Sequence, residues 1–125
     1  MSSVKFVFNP DFNDYSSKEE SDIQMTILGL FFASDVRTRI LPFRVWALDD
    51  SLGEYCSGNI TALEKDGDYI ELTDLYSEEE TPTILRIPRS QFVQLLDEWE
   101  KICILKPKEI IIKHENNEFI IETKD

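Results

Sequence analysis

The stretch from Ile87 to Cys103 constrains the fold most, because it is the one segment with an unambiguous helical period. Phe92, Leu95, Leu96, Trp99, Ile102 and Cys103 recur at i, i+3, i+4 and i+7, and so share one apolar side. Gln91, Gln94, Asp97, Glu98 and Lys101 fall on the other side. Ser90 is placed to cap the first turn with its hydroxyl, and Pro88 precedes it without breaking a helical bond. Pro107 ends the pattern. The spacing predicts a helix over residues 90–103 whose apolar side must be covered, with Leu96 and Trp99 at the centre of the contact.

Most of the remaining chain reads as strand. Val4, Phe6 and Phe8 alternate with Lys5 and Val7, and Asn9-Pro10 closes that strand. Residues 11–22 are acidic and serine-rich and read as a solvated loop. Ile23 to Ala33 is apolar without a decisive period, compatible with helix or strand. Ile23, Thr26, Ile27, Phe31 and Phe32 favour a central strand. Ser34-Asp35 then turns the chain into a second strand over residues 37–48, where Pro42 implies an edge or a bulge. Residues 52–63 give a strand or a strand pair around Ser57-Gly58-Asn59.

Asp66-Gly67 signals a two-residue hairpin turn, which places Leu63 opposite Ile70 and Glu64 opposite Tyr69. Leu63, Ile70 and Leu72 then share the core face, while Glu64, Tyr69, Glu71 and Thr73 face solvent. A charged loop, Ser77 to Pro82, leads to a strand over residues 83–87 that enters the helix. Beyond the helix, Glu109 to Lys113 and Glu118 to Thr123 form a hairpin turned by Asn116-Asn117. Strands grouped before and after one helix, with no strand–helix alternation, predict an α+β fold. The expected form is a curved, mostly antiparallel sheet with the helix packed on it and a C-terminal β-hairpin. The 125 residues fit a single domain.

Catalytic motifs are missing. One histidine, His114, leaves no site that needs two imidazoles. Cys56 and Cys103 form neither a CxxC nor a disulfide framework, and Cys103 falls on the buried helix side. Gly29, Gly53, Gly58 and Gly67 are scattered, which is unlike a phosphate-cradling loop. Asp66-Gly67-Asp68 lacks the spacing and terminal glutamate of a calcium loop. The expectation is therefore no enzyme, no metal and no cofactor. Met1 to Phe6 resembles neither a signal nor a transit peptide, no apolar run spans a membrane, and a cytoplasmic location follows as an expectation.

Charge is the informative property. The chain carries a formal net charge of -12. Between residues 49 and 80 stand Asp49, Asp50, Glu54, Glu64, Asp66, Asp68, Glu71, Asp74, Glu78, Glu79 and Glu80, eleven acids against Lys65 alone, so this segment holds -10 of the total. A solubilising charge spreads more evenly. Concentrated, it repels nucleic acid and anionic membrane and attracts a basic protein. Tyr55, Tyr69 and Tyr76 are interleaved with these acids, and tyrosine beside steering carboxylates is a composition suited to a protein contact. Tyr69 shares the solvent face with Glu64 and Glu71. Tyr55 and Tyr76 fit either core or contact surface.

A small acidic chain of this kind resembles the immunity proteins that protect bacteria from polymorphic or contact-dependent toxins. The run Ile87-Pro88-Arg89-Ser90-Gln91-Phe92-Val93-Gln94-Leu95-Leu96-Asp97-Glu98-Trp99, followed by Lys106-Pro107-Lys108-Glu109-Ile110-Ile111-Ile112, is similar to such proteins over about a third of the chain. The resemblance implies a stoichiometric inhibitor of a basic, nuclease-type toxin domain. Two other classes fit the same sequence: a phage or host regulator that mimics nucleic-acid charge, and a small ligand-binding or enzymatic domain with a pocket between helix and sheet.

Overall fold

A computed structural model describes residues 2–125. It is α+β with antiparallel sheets, and its strands divide into two four-stranded sheets where one curved sheet is expected from sequence. The first sheet has the order β2-β1-β7-β8, formed by β1 (Ser2–Asn9), β2 (Asp14–Lys18), β7 (Glu109–Glu115) and β8 (Glu118–Lys124). The second runs in chain order: β3 (Tyr55–Ser57), β4 (Thr61–Asp66), β5 (Tyr69–Asp74) and β6 (Leu85–Pro88). Three α-helices accompany them: α1 (Ile23–Leu30), α2 (Leu41–Leu48) and α3 (Arg89–Leu105).

Helix α3 carries the predicted apolar side inward. Phe92, Leu95, Leu96 and Trp99 are buried, and the helix touches β8 of one sheet and β5 and β6 of the other. Its start differs from expectation. Pro88 holds the cap position, Ser90 lies inside the first turn, and no side chain caps the helix. The Arg89 N–H instead donates to the Asp68 carbonyl, 2.7 Å away, tying the helix to the β4–β5 turn. Lys106, at φ 51°, ends α3 just before Pro107.

Two predicted strands are helices. Ile23–Leu30 forms α1, which contacts β1 and β2 on one side and β5 and β6 on the other. A helix enclosed between sheets needs apolar residues nearly all round, so its sequence loses the amphipathic period. Asp22 caps it through a 3.0 Å bond from the Met25 N–H. A wider helical turn, Phe31–Val36, continues α1, so Ser34-Asp35 is no strand turn. Within residues 37–48, α2 replaces the second expected strand. Pro42 sits in its first turn, where a missing N–H costs nothing. Residues 11–22 also depart from the loop expectation, because Asp14–Lys18 pairs with β1 as β2. Only Tyr15 of that strand is buried, so its sequence shows little alternation.

The hairpins keep their predicted faces. Glu115 pairs with Glu118 around Asn116-Asn117, both at positive φ (51° and 63°). In the β4–β5 hairpin the turn residues are Gly67 and Asp68, one position later than expected, with Gly67 at φ 58°. Leu63 therefore opposes Leu72, and Glu64 opposes Glu71. The slip moves partners by two residues, so Leu63, Ile70 and Leu72 still face the core and Glu64, Tyr69, Glu71 and Thr73 still face out.

One carboxylate joins the helical layer to the second sheet. Asp35 accepts hydrogen bonds from the backbone N–H groups of Asn59 (2.8 Å), Ile60 (3.2 Å) and Thr61 (2.9 Å), and from the Thr61 hydroxyl. Gly58 leaves room for it. A Cβ there would stand 2.3 Å from the Asp35 carboxyl carbon.

Two outcomes follow for stability. Leu96→Ala and Trp99→Ala should each cost about 2–5 kcal/mol in denaturant melts, through lost burial and the cavity left behind. Unchanged midpoints would remove α3 from the core. Asp35→Ala should cost about 2–3 kcal/mol, since it strands the donors of the 59–61 loop. A melt within experimental error of wild type would show that water replaces the carboxylate.

Candidate functional site

The outward side of the second sheet carries one transverse row. Tyr55 on β3 opposes Glu64 on β4, Glu64 opposes Glu71 on β5, and Glu71 opposes Arg86 on β6. The inward neighbours Leu63, Leu72, Leu85 and Ile87 are buried and hold the row on a rigid base. Like charges directly opposite on a sheet repel. Arg86 relieves only one of them. Its Nε lies 3.1 Å from Glu71, its Nη2 lies 2.9 Å from Asp66, and its guanidinium stacks 3.9 Å over the Tyr69 ring.

Glu64 has no lysine or arginine within 4.0 Å among the described residues, and neither has Glu54. Tyr55 stands directly opposite Glu64, 70% exposed, while Glu54, the residue before it, lines the corner groove with Asp50, Lys65, Asp68 and Arg89. The charge of Glu64 first, and that of Glu54 behind it, raise the Tyr55 phenol pKa. The β3 end of this face therefore joins an uncompensated negative field to an exposed aromatic ring.

The remaining predicted residues fall into two other groups. Asp49, Asp50 and Asp68 lie at the corner where α2, the β4–β5 turn and α3 meet. There Arg89 bonds Asp50 (2.8 Å) and the Gly67 carbonyl (2.8 Å). Lys65, nearly buried, donates to the Asp49 carbonyl at 3.0 Å and lies 4.8 Å from the centre of the Trp46 ring. Asp50 is therefore held in a structural cluster. Asp49 accepts from the N–H and hydroxyl of Ser51, which lowers its pKa. Asp74, Glu78, Glu79 and Glu80 lie at the opposite end of the sheet, where Asp74 accepts from the Tyr76 N–H at 2.9 Å. Tyr76 is 73% exposed and, like Tyr55, no part of the core.

The sequence reading of the acidic segment missed Arg86 and Arg89, which lie just outside it in sequence and fold back onto Asp66, Glu71 and Asp50. The alternation Leu85-Arg86-Ile87 was the available signal, since it turns Arg86 onto the same face as Glu71.

Between the first sheet and α3 lies a small, partly open space of about 60 Å³, lined by Phe8, Tyr15, Phe32, Trp99 and Cys103 and fronted by the Asp14–Arg37 pair. Ligand pockets are typically about 300–1,000 Å³. This one has room for about two water molecules. Burial pushes the Cys103 thiol up to about 12, and the Tyr15 hydroxyl beside it likewise to about 12. Burial also raises the Cys56 thiol. His114 stacks flat on Phe119, their ring centres 4.2 Å apart. Among the described residues no three His, Cys, Asp or Glu side chains gather as metal ligands, and no helix is long and apolar enough to cross a membrane.

Comparison with protein-family models, with curated proteins and with solved structures gave no match.

The Cys103 environment makes a direct prediction. At pH 8 the native thiol should be alkylated by iodoacetamide roughly a hundredfold more slowly than in urea, because little thiolate forms. Rapid native modification would show an activated thiol and reopen nucleophilic chemistry at this position.

Proposed function

We propose that this protein is an immunity-type inhibitor, acting in the bacterial cytoplasm, that binds and neutralises a cognate basic, nuclease-type toxin through its acidic surface. The observation that carries the reading is the row on the second sheet. Glu64 faces Glu71 across the strands without a cation of its own, and the exposed Tyr55 stands directly opposite it on the other side. An arrangement that costs stability in the free protein gains when a partner's lysine or arginine supplies the missing charge. A rigid sheet presents these groups with little ordering cost. Within this reading Glu54, Glu64 and Tyr55 make the main contact. Asp66, Tyr69 and Glu71 contribute less, since Arg86 already covers them.

The test uses the immobilised full chain and lysate from its native cells. Wild type should retain a basic polypeptide that elevated salt releases. Glu54→Lys with Glu64→Lys should lose it while melting within about 0.5 kcal/mol of wild type, as exposed substitutions generally do. Against the purified partner, the double reversal should slow association, and Tyr55→Ala should speed dissociation by an amount worth about 1–4 kcal/mol. Retention unaffected by the reversal in a folded variant would leave this face as solvated surface.

A further inference from the structure

Strand β8 leaves one edge of the first sheet open. It is the longest edge strand among the described residues, with seven residues against three in β3, four in β6 and five in β2. Edges of soluble proteins are ordinarily short, bulged or broken by proline, because their unpaired N–H and C=O groups invite another strand. Strand β8 holds no proline, and its pairing with β7 runs without a bulge from Glu118 to Lys124.

The register says which backbone groups are free. The two-residue turn Asn116-Asn117 makes Glu115–Glu118 a hydrogen-bonded pair, and every second pair along the ladder is then bonded. Glu118, Ile120, Glu122 and Lys124 therefore turn their backbone groups toward β7, while Phe119, Ile121 and Thr123 turn theirs outward. The Phe119 N–H fixes this phase, since it donates away from β7 to Oε1 of Gln91, 3.2 Å away. The N–H groups of Ile121 and Thr123 have no hydrogen-bond partner among the described residues.

Charge along the strand runs from acid to base. Glu118 faces Glu115 across the hairpin, and neither has a lysine or arginine within 4.0 Å among the described residues. At the other end Lys124 has no carboxylate within 4.0 Å, and its cross-strand neighbour Glu109 lies 3.6 Å from Lys5. Glu122, between them, is held by Lys113 at 2.5 Å.

We infer that this edge pairs with β8 of a second copy, antiparallel about a two-fold axis at Ile121. In that register Ile121 bonds to its own counterpart, and the Thr123 N–H meets the outward Phe119 carbonyl of the other copy. The Thr123 carbonyl takes the Phe119 N–H from the Gln91 amide. Glu118 stands opposite Lys124 on both sides of the axis, in a non-hydrogen-bonded pair where side chains come closest. The like-charged Glu115–Glu118 pair thereby gains a cation. Sliding the second strand by two residues loses backbone bonds and sets Glu118 against Glu122, or Glu122 against its own copy. Larger shifts leave less than half of the strand paired. An edge that pairs with itself about a two-fold closes, so assembly stops at two copies. The net charge of -12 is little obstacle, because residues 106–125 carry four lysines against five acids while the excess lies in residues 49–80. Exposed charges more than about 8 Å apart are largely screened at physiological salt. The acidic row of the second sheet takes no part in the contact, so the dimer would present it twice.

The test is sedimentation velocity of the full chain at about 20–500 µM and about 0.15 M salt. Wild type should show a monomer–dimer equilibrium with a dissociation constant below about 500 µM, weak as suits a small contact. Thr123→Pro should stay monomeric and folded in a melt, because the N–H it removes faces away from β7. Lys124→Glu should weaken the dimer by about fivefold or more, and adding Glu118→Lys should restore it to within about twofold at the wild-type net charge. A monomer throughout the concentration range would overturn the inference. A dimer that survives Thr123→Pro would place the contact on another surface, and a charge swap that fails to rescue would exclude this register; either counts against it. Growth beyond two copies would mean head-to-tail pairing with the β2 edge, also against it. The basic-partner reading stands or falls separately, on what immobilised wild type retains.

Discussion

The indole of Trp99 is where three parts of the chain meet. Its ring packs at 4.8 Å against Phe6 of β1 and at 4.9 Å against Phe32 of the turn that extends α1, with Tyr15 of β2 at 6.0 Å. Its N–H donates to the Arg37 carbonyl over 2.7 Å. That bond matters twice. It satisfies a buried donor, and it fixes the residue at which the chain leaves the α1 extension at φ 53° and ψ -99°, a conformation costly for a residue with a side chain. The direction in which Arg37 leads determines where α2 lies.

Asp35 completes the same construction on the other side, two residues before Arg37. Its carboxylate organises the 58–61 loop from which β4 starts, so the helical segment sets the origin of the second sheet as well as resting on the first. The acidic row stands on that sheet. Its rigidity therefore depends on a carboxylate that lies outside the row itself.

Legibility in the sequence followed how each element is buried. Helix α3 and the Asn116-Asn117 hairpin have one wet side and one dry side, and their periods were plain. Helix α1 lies between two sheets, and α2 is apolar on both its buried and its exposed side, so neither shows the polar half that marks a helix. Asp22 was a readable cap, and Pro42 fits a first helical turn as well as a strand edge. Strand β2 is almost wholly polar and is a strand because β1 offers it a partner. At the candidate site, the outward set of Glu64, Tyr69 and Glu71 was readable from alternation. Which acids stay unpaired was not, because that depends on β6 lying beside β5 and bringing Arg86 across.

Strand β1 lies inside its sheet, with β2 on one edge and β7 on the other. The first pairing closes a short hairpin. The second joins Ser2 to His114 and Val7 to Glu109 across most of the chain. During synthesis Val4 and Phe6 therefore have only half of their shelter until the last strands emerge. Contacts of such long sequence separation close slowly. Loss of the β7–β8 hairpin would uncover the centre of the first sheet and with it one wall of the Trp99 site, so damage at that end of the chain should propagate through the whole molecule.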